Sequence, residues 1–132
     1  MNPKKYKNSS PRVKVIQKIY SSLMNPDETI IYPKSQYKKF IKDVVSGTIE
    51  RTELIEETII NHLGSDIELK KTEKLLKIIL FAGVFELLFK HNTPKNVVIS
   101  EYVRASEFFL EKAQIKYLNA ILDKISKLIR KD

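Results

Sequence analysis

Between Ile78 and Phe89 the chain reads Ile-Ile-Leu-Phe-Ala-Gly-Val-Phe-Glu-Leu-Leu-Phe, apolar on nearly every side when wound into a helix. Such a helix has no face to give to water and must be surrounded by other elements. The whole apolar stretch, Leu75 to Phe89, is too short for a membrane span and contains Lys77 and Glu86, so it predicts the buried central helix of a soluble protein. The rest of the chain must then supply enough amphipathic helix to cover it.

The flanking sequence has that character. Ser10-Pro11 reads as N-cap and first helical position, because proline lacks the N–H that would be orphaned there. Val13, Ile16, Ile19 (or Tyr20) and Leu23 follow at helical spacing, predicting a helix over 11–24 that Asn25-Pro26-Asp27-Glu28 ends. A second helix is predicted to open at Tyr32 to Ser35, with an apolar stripe of Tyr37, Phe40, Ile41, Val44 and Val45 and Gly47 as its punctuation. Leu54, Ile55, Thr58, Ile59 and Leu63 mark a third, closed by Gly64 as a left-handed cap. The central helix is expected from about Ile67 to Lys90, with Gly83 allowing a neighbouring backbone to approach. Val98, Tyr102, Ala105 and Phe109 define a fifth, and Ile115, Leu118, Leu122, Ile125 and Ile129 a sixth. No segment alternates at period two for long enough to be a strand. The expectation is an all-α fold, a compact bundle of six or seven helices in one domain over 10–132, preceded by a mobile basic arm at 1–9.

With 132 residues the chain is one domain by length, and the absence of cysteine excludes disulfides, thiolate zinc sites and a cysteine nucleophile. The basic, polar start lacks the apolar core of a signal peptide, and a cytoplasmic protein is expected. The net charge of +8 is unevenly placed: Lys4, Lys5, Lys7, Arg12, Lys14 and Lys18 precede any acid. This pattern suggests a polyanion bound at one end, or a solubilising excess in a chain where lysine outnumbers arginine twenty to four. Catalytic chemistry is not indicated. His62 and His91 fall at expected helix C-termini, where the dipole and free carbonyls favour them, and neither has a carboxylate at the spacing of a bundle di-metal site. Glu53, Glu56 and Glu57 read as a solvated face, and none of the three glycines neighbours another to form a phosphate loop. No enzyme, metal or cofactor is expected. Glu86, inside the most apolar helix, reads as structural and needs an arginine, a helix terminus or an exposed edge to satisfy it.

Three segments carry a resemblance. Pro94-Lys95-Asn96-Val97-Val98-Ile99-Ser100-Glu101 and Lys116-Tyr117-Leu118-Asn119-Ala120-Ile121-Leu122-Asp123 resemble the C-terminal signature of the NusB family of transcription antitermination factors. Ile99, Glu101, Lys116, Asn119, Leu122 and Asp123 match it, while Ser100, Tyr102, Tyr117 and Ala120 stand where the family has Asn, Ala, Phe and Gly. Ile79 to Leu87 is similar to the family's central helix, with Phe81 in place of its usual arginine. Arg12 to Tyr20 resembles the first helix, Gln17 and Tyr20 matching, but Asn8, Ser9 and Ser10 replace a run of arginines.

The resemblance implies two packed three-helix subdomains and a non-enzymatic RNA-binding role. It implies a heterodimer with a small-subunit ribosomal protein, NusE, on boxA-like single-stranded RNA, within a transcription elongation complex on ribosomal RNA operons and away from membranes. In the family the arm and first helix meet the last helix and RNA crosses the shared surface, which here implicates Arg12, Tyr20, Lys116 and Tyr117; Lys4, Lys5 and Lys7 are expected to add phosphate contacts through their charge. Cations along the backbone and aromatic faces under unstacked bases suit single strands. Two other readings stay open: an adaptor that keeps the protein partner and has lost RNA recognition, because lysine replaces the forked donors of arginine, and a stand-alone module related to ribosomal-RNA cytosine methyltransferases.

Overall fold

The structure is a computed structural model and describes residues 10–132. The arm expected at 1–9 lies outside the described residues. Six α-helices follow one another: α1 (Pro11–Met24), α2 (Lys38–Glu50), α3 (Thr52–Leu63), α4 (Lys74–Phe89), α5 (Lys95–Ser106) and α6 (Lys112–Ile129). Among the described residues there is no strand, and no helix is long and apolar enough to cross a membrane. The all-α expectation holds.

α4 is the hub. Every residue from Ile78 to Leu87 is buried, and α4 packs against each of the other five helices. α5 and α6 pack on α4 and on each other, while α1 and α2 pack together on α4 and α3 joins through α2, α4 and α6. The apolar run thus dictates its own surroundings, as a helix without a polar face must.

Two helices begin later than their apolar spacing suggests. α2 starts at Lys38, not between Tyr32 and Ser35, because Pro33 disfavours helical backbone at the residue before it. Ser35 then turns the chain, its hydroxyl accepting from the Tyr37 N–H at 3.2 Å and its carbonyl from the Lys38 N–H at 3.2 Å. α4 starts at Lys74 and not near Ile67. Two single 3₁₀ turns, Gly64–Asp66 and Leu69–Lys71, occupy the interval. The Glu73 carboxylate then caps α4 by accepting from the Leu76 N–H at 3.0 Å. Gly64 has φ +51 and ψ −120, a conformation that favours glycine but is not the left-handed cap.

Gly47 does not end α2. It is buried within the helix, and a Cβ there would lie 2.2 Å from the tip of the Phe85 ring. Its role is close approach of α2 to α4. Gly83 serves similarly, but against side chains and not a backbone: its missing Cβ leaves room for Leu122 and Tyr102.

Residues 130–132 fold back on the bundle. Arg130, only 8% exposed, donates through Nε to the Leu87 carbonyl at 2.6 Å and through Nη2 to the Lys90 carbonyl at 3.1 Å, closing the C-terminal end of α4. The Asp132 carboxylate accepts from the Lys95 N–H at 3.0 Å, at the first residue of α5. That backbone hydrogen bond, assisted by Arg130, holds the Asp132 carboxyl below the usual carboxylate range.

Gly47→Ala tests the packing. Alanine is the better helix former by about 1 kcal/mol, yet the Phe85 ring must be displaced, and overpacking costs about 1–3 kcal/mol. A lower urea midpoint with an unchanged m-value is the expected outcome.

Candidate nucleic-acid interface

A cluster of polar side chains surrounds Glu86. Its carboxylate is fully buried in α4 and is gripped from α1 by Arg12, with Nε donating to Oε2 at 3.0 Å and Nη2 to Oε1 at 2.7 Å. The Tyr102 hydroxyl, from α5, donates to the same Oε2. Glu101 comes within 3.7 Å of Arg12 Nη1, and the Phe40 and Tyr102 rings lie 4.8 and 5.7 Å from the guanidinium. Burial pulls the Arg12 pKa down, but hydrogen bonding to Glu86 and the charges of Glu86, Tyr102 and Glu101 outweigh it, so the guanidinium lies above its ordinary value. The buried carboxylate is satisfied by an arginine, one of the three partners its position required.

That arrangement bears on the residues expected to face RNA. Arg12 is turned inward: its side chain is 11% exposed and its fork is closed on Glu86, so it does not present a phosphate clamp at the surface. Tyr20 on α1 and Tyr117 on α6 are 39% and 38% exposed, and Lys116 is exposed beside the latter. The Tyr117 hydroxyl donates to the Asp66 carbonyl at 3.2 Å, and Lys124 pairs with the Asp66 carboxylate. Partial burial, then the Asp66 charge, raises the Tyr117 pKa. Lys4, Lys5 and Lys7 lie outside the described residues.

α1 lies against α2, α4 and α5, and α6 against α3, α4 and α5. Lys116 and Tyr117 are neighbours on α6, and Tyr20 lies on α1. Sequence reasoning missed Tyr102, which stands where the family pattern has alanine; its signal was a large polar aromatic on an apolar stripe, which needs a hydrogen-bond partner when buried. Arg130 was missed too, because nothing local to it announces that α4 ends beside it. Among the described residues no group of three His, Cys, Asp or Glu could hold a metal ion.

The geometry defines an all-helical scaffold with a polar cluster buried at Glu86 and the exposed pair Lys116 and Tyr117 on its last helix. The chain belongs to the NusB family, whose sequence model matches residues 6–127. It is similar to the transcription antitermination protein NusB of Sphingopyxis alaskensis, with 27% identity over 99% of both chains. Against the protein of that name from Bradyrhizobium diazoefficiens it is 34% identical over 70% of this chain, an alignment that spans 56% of the relative's length. The solved structure of Thermotoga maritima NusB shares the fold with a TM-score of 0.76 at 22% identity, covering 93% of this chain and 92% of that one.

Removing Arg12 would leave Glu86 buried and unpaired. Arg12→Ala is expected to cost about 3–5 kcal/mol, the usual penalty for breaking a buried ion pair. Replacing both partners, Arg12→Met with Glu86→Leu, should recover part of that loss in urea denaturation.

Proposed function

We propose that this chain is a transcription antitermination factor that binds boxA-like single-stranded RNA as a heterodimer with the small-subunit ribosomal protein NusE, in an elongation complex transcribing ribosomal RNA operons. The observation carrying this reading is the family match, which runs through nearly the whole bundle. Lys116 and Tyr117 support it as an exposed cation beside a half-exposed ring on one helix, the pairing that suits a phosphate and an unstacked base. Lys4, Lys5 and Lys7 would supply further cations, and Tyr20 a second ring. Arg12 then acts through Glu86, fixing the start of α1 where the arm joins the body.

The inward turn of Arg12, together with Asn8, Ser9 and Ser10 where the family has arginines, favours one rival: an adaptor that has kept the protein partner alone. For that partner we assign the beginning of α4 and the segment before it. A cleft of about 350 Å³ opens there, with Leu23, Ile49 and Phe81 in its walls and Lys70, Lys74 and Lys77 around it. Thr48 is among the lining residues, and its hydroxyl is buried with no hydrogen-bond partner among the described residues. Apolar centre and charged rim suit a non-obligate protein contact.

A salt titration against a boxA-like oligonucleotide and a scrambled one separates the two readings. Four phosphate contacts, from Lys4, Lys5, Lys7 and Lys116, give a log–log slope of about −3. Lys116→Gln should make it shallower by about 0.7, whereas Tyr117→Ala should cost about 1–3 kcal/mol with little change in slope. Equal, weak binding to both oligonucleotides would instead favour the adaptor. Charge reversal across Lys70, Lys71 and Lys74 is expected to reduce co-purification with the ribosomal protein, and an unchanged yield would move the interface elsewhere.

A further inference from the structure

A second basic surface lies on the opposite flank of α1 from its buried stripe. Lys14 and Lys18, one turn apart, face the segment that leads into α2 across a cleft of about 300 Å³, at the lower end of the range for small-ligand sites. Tyr32, Tyr37 and Lys38 form the far side. Partial burial raises the Tyr32 pKa, partly offset by the nearby Ser46 side chain. Tyr37 is 46% exposed. No carboxylate lines the cleft, and none of the three lysines forms an ion pair among the described residues, although Lys14 and Lys18 are themselves half-buried. Elsewhere on the surface lysines do find partners, as in Lys39 with Asp43 and Lys124 with Asp66.

Three cations in a cleft whose lining holds no carboxylate, beside two aromatic rings in a concave wall, match one chemistry well, although Lys18 also lines the adjoining cleft with Glu28. An anion satisfies the ammonium groups and a flat ring satisfies the tyrosines, and a nucleotide offers both. We infer that this cleft holds one nucleotide unit of single-stranded RNA, its phosphate among Lys14, Lys18 and Lys38 and its base against Tyr37. The inference rests on the RNA-binding reading and extends it, because the Lys116 and Tyr117 cluster is on a helix that does not line this cleft.

The test uses the full chain and a labelled single-stranded RNA with a boxA-like segment extended by uridines at both ends. Lys18→Gln with Lys38→Gln is expected to weaken binding about fivefold per lysine at 0.1 M salt and to flatten the salt slope by about 1.4. Arginine at both positions should restore the slope. Tyr37→Ala, at an exposed site that leaves the fold intact, should weaken binding about tenfold with no change in slope. Photo-crosslinking of 4-thiouridine RNA should label the peptide containing Tyr37. If wild-type protein binds RNA and Lys116→Gln weakens it while the cleft variants and crosslinks are silent, this inference is overturned and the proposed function stands. If the lysine pair matters but Tyr37→Ala does not, only diffuse attraction operates and the nucleotide site is likewise overturned. Absence of RNA binding by the wild-type chain overturns both.

Discussion

A carboxylate buried inside the most apolar helix of a protein is an expensive object, and the bundle is arranged around the one at Glu86. Its two oxygens are occupied by a guanidinium from α1 and a hydroxyl from α5, so the first helix and two consecutive later ones meet at a single charge. Hydrophobic burial alone would let α1 slide or rotate on α4 at modest cost, since apolar contact is non-directional. The forked pair does not allow that, because two parallel hydrogen bonds fix both angle and register. The apolar hub supplies the cohesion, and the ion pair supplies the alignment.

Most of this fold was legible in the sequence, for reasons that differ by element. α1 and α6 carry clean stripes, and α1 also has proline at its first position; both were located closely. The central helix was recognisable by having no polar side. Boundaries failed where local polar chemistry overrode apolar spacing: Pro33 and Ser35 delayed α2, and the Glu73 cap delayed α4. Gly47 was misread because a glycine in a helix looks alike whether it ends the helix or admits a ring from outside. Only the position of Phe85 distinguishes the two, and that is tertiary information.

The candidate site was less legible. That Arg12 would be important could be read from the sequence, but not the direction in which it points, since a guanidinium suits a phosphate and a carboxylate equally well. Glu86 announced its need for a partner, and the answer lay 74 residues away. The grouping of Lys14, Lys18 and Lys38 with two tyrosines was invisible for the opposite reason: each is an ordinary surface residue until the turn before α2 folds beside α1.

Residues 130–132 reinforce the corner between α4 and α5, two helices that also pack directly on each other. Arg130 holds the last carbonyls of α4 and Asp132 the first N–H of α5, so a single short segment closes both sides of that corner. Exchange of the Lys95 amide should therefore report the lifting of residues 130–132. When residues 130–132 lift away, the amide of Lys95 loses its acceptor at the same moment that the carbonyls of Leu87 and Lys90 lose their donors. The corner and the end of the last helix behave as one cooperative unit, opening at a lower free energy than the hub they enclose.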